Sequence, residues 1–182
     1  EGAERLERAS QRPDYAEAAG SERAKPCFPV RPCQRACDMT EFHRVTPTFA
    51  VAGQIELNDL ARAAAEGFKV VICNRPEGED PGQPTAAEVQ AAVEAVGMEY
   101  RALPFAGPPP PNVVAETAEL LEAAPGPVLA YCRTGRRSIM AWAMAQALSG
   151  TRRPEEIIAL AAKAGYDLDG ARGALETLAP KP

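Results

Sequence analysis

The segment that most restricts the fold runs from residue 127 to 144. An apolar run, Pro127-Val128-Leu129-Ala130, leads into Tyr131-Cys132-Arg133-Thr134-Gly135-Arg136-Arg137-Ser138, and a second apolar run, Ile139-Met140-Ala141-Trp142-Ala143-Met144, follows at once. A buried strand, a short turn centred on Gly135 and a helix satisfy this pattern. Backbone N–H groups of such a turn converge on one point, and the helix N-terminus adds positive potential there. Arg133, Arg136 and Arg137 add charge, so the Cys132 thiol is expected to be nucleophilic at neutral pH.

The remaining chain restricts the setting. Its 182 residues suit one domain of ordinary size. A net charge of −5 argues against a nucleic-acid binder that works by general electrostatics. No apolar run approaches a membrane span and the start does not resemble a signal peptide, so no membrane partner is expected. Five cysteines, at 27, 33, 37, 73 and 132, are an odd number, and a reduced, cytoplasmic setting is expected. His43 is the single histidine, which excludes a histidine-rich metal centre. It also excludes a Ser-His triad at the loop unless His43 folds beside it. No metal and no cofactor are expected.

Residues 1–38 mix Glu, Arg, Ala, Ser and Pro without a sustained apolar period. They are expected to form a disordered N-terminal extension upstream of a natural start at Met39. Cys27, Cys33 and Cys37 fall here, but without paired Cys-x2-Cys spacing or a fourth ligand they are not expected to bind zinc. Residues 39–182 are expected to be the catalytic domain.

From Met39 onward the pattern is regular. Strands are expected at 48–53, 68–73, 98–105 and 127–131, each rich in β-branched or other apolar residues. Helices are expected at 57–66, from the capping box Thr85-Ala86-Ala87-Glu88 to Gly97, from an Asn112 cap to Ala124, at 138–148, 154–164 and 170–178. The loop at 76–84 is rich in Pro, Gly and acids, and its Glu77, Glu79 and Asp80 are expected to be solvated. Alternating strands and helices imply an α/β fold: a mainly parallel sheet of four to five strands with helices on both faces. Ligands then sit outside the carboxyl ends of the strands. Cys132, Asn74 with Arg75, and the Phe105–Gly107 loop should share that rim.

Residues 132–137 resemble the Cys-Arg-x-Gly-x-Arg loop of rhodanese-type sulfurtransferases. Cysteine-dependent phosphatases share the Cys, the Gly three positions later and an Arg followed by Ser or Thr. Their arginine comes six positions after the cysteine, where this chain has Ser138. The loop is therefore one residue shorter, and a tighter ring of donors suits a sulfur atom. The stretch Leu103–Gly107 also lacks the acid that assists a poor phosphate leaving group. These two features favour a sulfurtransferase that moves sulfane sulfur through a Cys132 persulfide to a thiol, cyanide or sulfite. The alternative is a tyrosine- or dual-specificity-type phosphatase working through a Cys132 thiophosphate.

A wider resemblance covers Met39 to about Leu148. It rests on Thr46-Pro47 with Val51-Ala52-Gly53-Gln54, on Gly67-Phe68-Lys69-Val70-Val71-Ile72 running into Asn74-Arg75-Pro76 and Glu79, on Gly97-Met98-Glu99-Tyr100 with Pro104, and on 127–138. These segments resemble the phosphatase-like domain of beta-lactamase-hydrolase-like proteins. The resemblance implies a tyrosine-phosphatase-like fold, with a rhodanese-like fold as runner-up. It also implies either a small sulfane-sulfur donor or a phosphorylated substrate, and a separate persulfide dioxygenase as partner. Tyr131 stands where phosphatases usually have His.

Within the loop, Arg137 is expected to hold an anion by paired hydrogen bonds, while Arg133 and Thr134 contribute N–H groups. Arg136 is expected to face solvent or an acidic partner. Ser138 can cap the next helix or donate to the thiolate. Asn74, Arg75 and Glu79 are expected one layer out, with Arg75 paired to Glu79 in preference to contacting the substrate. Cys73 is expected in the core, with a resolving-thiol role as the minority reading.

Overall fold

The computed structural model describes residues 39–180. The extension expected over residues 1–38, with Cys27, Cys33 and Cys37, lies outside the described residues. Five strands form one sheet in the order β1-β2-β5-β3-β4. They are β1 (Phe42–Thr46), β2 (Phe49–Ala52), β3 (Val70–Cys73), β4 (Glu99–Ala102) and β5 (Val128–Tyr131). β1 runs antiparallel to β2; every other neighbouring pair is parallel. The expected α/β architecture holds. β5 lies between β2 and β3, so Cys132 leaves the most enclosed strand.

β1 is the strand that sequence pattern does not reveal. Its residues Phe42-His43-Arg44-Val45-Thr46 read as mixed polarity because an edge strand has one ladder partner and one half-buried face. Phe42 nevertheless anchors it, packing edge-on against Phe68 with ring centroids 5.8 Å apart and with the Arg62 guanidinium 3.7 Å above its ring.

Alternate residues of the central strands enter two separate cores. Phe49, Val51, Val70, Ile72, Val128 and Ala130 pack with Val113, Ile139, Trp142, Ile157 and Leu175. These last five come from α3 (Pro111–Ala123), α4 (Arg136–Leu148), α5 (Pro154–Lys163) and α6 (Arg172–Leu178). Ala50, Ala52, Val71, Cys73, Leu129 and Tyr131 face the opposite way, onto Leu60 of α1 (Asp59–Ala65) and Val89 and Val93 of α2 (Ala86–Ala95). Both faces are covered, which is why these strands read as unbroken apolar runs. Trp142 is the largest side chain sealed inside, stacked on Phe49 with centroids 5.5 Å apart.

Three local expectations need correction. The third expected strand ends at Ala102, and Leu103 and Phe105 continue only as single N–H donors to Cys73 O (2.8 Å) and Asn74 O (3.5 Å). That departure carries the 105–107 loop onto the rim. Helix α3 starts at Pro111 after Pro110, so Asn112 is inside the helix and not its cap; proline suits a first turn whose N–H groups have no intrahelical partner. Helix α4 starts at Arg136 with Gly135 as N-cap, so Ser138 lies within the first turn and is not the cap. The capping box at the start of α2 is present as expected, with Thr85 and Glu88 bonded reciprocally. No helix among the described residues is long and apolar enough to cross a membrane.

Candidate active site

Cys132 is buried at the C-terminal end of β5, its N–H bonded to Ala52 O at 3.4 Å. Its Sγ accepts the Gly135 N–H at 3.1 Å, so the loop already curls around the sulfur. Gly135 adopts φ 83°, a left-handed conformation that side chains resist. A Cβ there would also lie 2.0 Å from the Tyr166 Oη and 2.9 Å from Val51 Cγ1. Glycine is thus required twice over, once by torsion and once by space. The loop is tied to the end of β2 by Gln54 N–H donating to Arg133 O at 3.2 Å.

Two carboxylates organise the arginines. Arg137 donates through Nη2 to Glu79 Oε2 at 2.7 Å and through Nη1 to Phe105 O at 3.0 Å. The same Glu79 oxygen accepts Arg75 Nε at 3.0 Å. Buried Arg75 continues to Gln54 Oε1 at 2.5 Å and to Asp80, whose Oδ2 also stands 3.2 Å from Arg133 Nε. The expected Arg75–Glu79 pair is present, and Glu79 and Asp80, though partly exposed to solvent, also serve as ion-pair partners of the arginines. Arg75 would be costly to bury without partners, and these acids supply the charge it needs. Arg133, Arg75 and Arg137 bring three positive charges against two negative ones, leaving the cradle cationic. The hydrogen bond from Arg137, aided by Arg75, holds the Glu79 carboxyl below its ordinary value of 4.5. For Arg137, burial works against the charge, but the Glu79 bond and the Cys132 sulfur outweigh it and raise its pKa. Glu77 stands apart, accepting the Ala86 N–H at the start of α2 at 2.9 Å.

The other expected residues divide by role. Asn74 ties the rim together: its side chain donates to Leu103 O at 3.0 Å and its N–H to Tyr131 O at 2.9 Å. Arg136 and Thr134 are exposed on the loop. The Ser138 hydroxyl is buried and has no hydrogen-bond partner among the described residues. Cys73 is in register with Tyr131 and turns into the α2 side of the sheet, its thiol 3.5 Å from Arg75 O. Cys132 Sγ instead turns into its own loop, so the two thiols have different partners. Tyr131 is buried in that same α2 layer, where burial above all pushes its phenol up.

Tyr166 belongs to the site and carries no signal in sequence. It follows α5, and its hydroxyl donates to Thr134 O at 3.4 Å. Its ring stands edge-on to His43, centroids 5.6 Å apart. Burial first, then the Cys132 charge, raises the Tyr166 phenol. His43 thus contacts the residue that braces the loop. Among the described residues no cluster of His, Cys, Asp and Glu is arranged to hold a metal ion.

Residues 41–149 match the family of the beta-lactamase hydrolase-like protein, phosphatase-like domain. A beta-lactamase hydrolase-like protein of Agrobacterium fabrum is 33% identical over 134 residues, covering 73% of this chain and 31% of that relative. One from Xylella fastidiosa is 28% identical over 125 residues, covering 68% and 29%. The chain thus spans about a third of the length of these relatives. Among solved structures, a candidate phosphatase of Neisseria meningitidis Z2491 aligns at TM-score 0.65 and 31% identity, over 74% of this chain and 96% of that one. PTPMT1, solved also in complex with PI(5)P, aligns at 0.62 and 19% identity over 76% and 93%. The fold is therefore tyrosine-phosphatase-like, not rhodanese-like.

These matches overturn the sulfurtransferase expectation, and they give no support to the sulfane-sulfur donor or the persulfide-dioxygenase partner expected with it. Loop length misled because the spacing counts residues, not the frame that holds them. Leu103–Gly107 does lack an acid; Glu79 and Asp80 reach the rim from a different loop, where they pair with the arginines.

Proposed function

Because the chain belongs to the phosphatase-like domain family of beta-lactamase hydrolase-like proteins, we propose that it is a cysteine-dependent phosphatase acting on a phosphorylated substrate. One observation carries this reading: Cys132 Sγ sits inside a loop whose Gly135 N–H already points at it, beside an arginine clamped by Glu79. In this mechanism the Cys132 thiolate attacks phosphorus, a sulfur–phosphorus bond forms and the ester oxygen leaves with the bonding electrons. That oxygen takes a proton from solvent or departs as a phenolate. Water then attacks phosphorus, the sulfur–phosphorus bond breaks, and phosphate and thiolate are released. Loop N–H groups and Arg137 hold the charge that spreads over the phosphoryl oxygens. Arg133, Thr134, Gly135, Arg136 and Ser138 complete the cradle, while Asn74, Arg75 and Glu79 position it from behind.

The same reading places catalysis in residues 39–182. It also suits a reducing compartment, the cytoplasm, because Cys132 must remain a thiol. The test is hydrolysis of para-nitrophenyl phosphate. Turnover that orthovanadate inhibits and Cys132→Ser abolishes is expected. Turnover unchanged by Cys132→Ser, or none in the unaltered protein, would overturn the proposal.

A further inference from the structure

A groove of about 390 Å³ opens beside the loop, lined by Gly107, Pro108 and Pro109, by Met140 and Met144 of α4, and by Ala171 and Ala174. Arg136 and Arg137, at the loop end of α4, are the only charged side chains lining it among the described residues. The remaining side chains carry no hydrogen-bonding group. Arg137 is also the residue clamped beside Cys132, so groove and cradle share a wall. From Arg137 to Met144 the helix rises about 10 Å, at roughly 1.5 Å per residue. That is longer than one phenyl ring and needs an elongated occupant.

Resting on the phosphatase reading above, we infer that the groove binds the ester group of the substrate, and that the substrate is a phosphomonoester of an elongated apolar group. The charge pattern sets the orientation: the anionic phosphate at the arginine end, on Cys132, and the apolar body along Met140 and Met144. A polar ester group would lose its hydration here and find no partner. Two flexible thioethers and two alanines make a wall that adapts to an apolar chain. Hydroxylated or charged phosphomonoesters leave the groove empty and bind through the cradle alone.

The test compares phenyl phosphate with 4-butylphenyl phosphate, which share leaving-group chemistry and differ only in apolar length, on the full 182-residue chain. The expected result is a KM about tenfold lower for the butyl ester at similar kcat, well within what burying four carbons can supply. Ala174→Glu, at an exposed position of α6, should cancel that preference and leave phenyl phosphate kinetics within about twofold. Met144→Asp should do the same. Equal KM values, or a preference that both substitutions leave intact, would overturn the groove assignment while sparing the phosphatase reading. If neither ester is turned over, the phosphatase reading fails, and calorimetric binding of the two esters to Cys132→Ser decides the groove. Tighter binding of the butyl ester, lost in Ala174→Glu, upholds it; equal binding or none overturns it.

Discussion

Glu79 Oε2 lies 2.7 Å from Arg137 Nη2, a contact between residues 58 positions apart in the chain. Because the same oxygen accepts Arg75 Nε at 3.0 Å, one carboxylate orients both the loop arginine and the buried arginine behind it. The clamp is therefore a unit, and removing its centre should be felt in both rate and stability. Glu79→Gln keeps the shape and removes the charge. It should lower kcat/KM on para-nitrophenyl phosphate by roughly tenfold or more, and cost about 1–3 kcal/mol of stability as buried Arg75 loses a charge partner. Steady-state kinetics together with urea unfolding checks both; a variant as active and as stable as the parent would show that the clamp is dispensable.

The clamp also predicts an acid dependence. Arg137 and Arg75 lower the Glu79 pKa below 4.5 in the folded protein. A carboxyl lowered on folding stabilises fully above its unfolded value, and the gain disappears as pH falls through the folded one. The urea midpoint should therefore change little through this group above pH 4.5 and drop below it. In Glu79→Gln that part of the drop should be absent. Midpoints measured across the acid range on both proteins give the comparison, and parallel curves would refute it.

Gly135→Ala forces a side chain into a left-handed backbone position and against the Tyr166 hydroxyl and Val51. The torsion alone costs about 1–3 kcal/mol. Activity should fall to near the level of Cys132→Ser, because the N–H that faces the sulfur moves. Tyr166→Gly should relieve the overlap with the hydroxyl but neither the Val51 contact nor the torsion, giving at most partial recovery in the double variant. Full recovery would mean that space alone demands glycine here.

Tyr166→Phe keeps the ring against His43 and removes the hydroxyl bond to Thr134 O. Stability should change by about 1 kcal/mol or less, as expected for one partly exposed hydrogen bond. The effect should appear in kcat more than in KM, since the residue steadies the loop and does not touch the bound ester. A change confined to KM would place Tyr166 in substrate contact.

Cys73 and Cys132 point to different partners, Arg75 O and Gly135 N–H respectively. Peroxide should oxidise Cys132 to sulfenic and higher acids without forming a link to Cys73. Intact-mass and peptide mass spectrometry after brief peroxide exposure would detect a 73–132 disulfide, whose presence would contradict the geometry.

Most of the scaffold was legible in sequence because its determinants are local. The apolar runs at 68–73 and 127–131 had to be strands covered on both faces, and Thr85 with Glu88 marked the start of α2. The rim was legible for the same reason, since strand ends follow from strand assignments. β1 was not, because five residues with one covered face carry too weak a period. Asn112 and Ser138 looked like caps because capping chemistry suits their residue types, whereas proline and a left-handed glycine terminate those helices one or more residues earlier.

The spacing Cys132–Gly135–Arg137 by itself determined that a tight turn joins strand to helix with the Cys132 sulfur facing into it, since such a turn involves only neighbouring residues. It could not choose between sulfur and phosphate. That choice depended on the frame and on which side chains surround the cradle. Glu79 and Asp80 arrive from the loop after β3, Phe105 from the end of β4, and Tyr166 from beyond α5. Contacts between such distant segments follow from how the elements pack, because ion pairs and van der Waals fit act over a few ångströms in space and not along the chain.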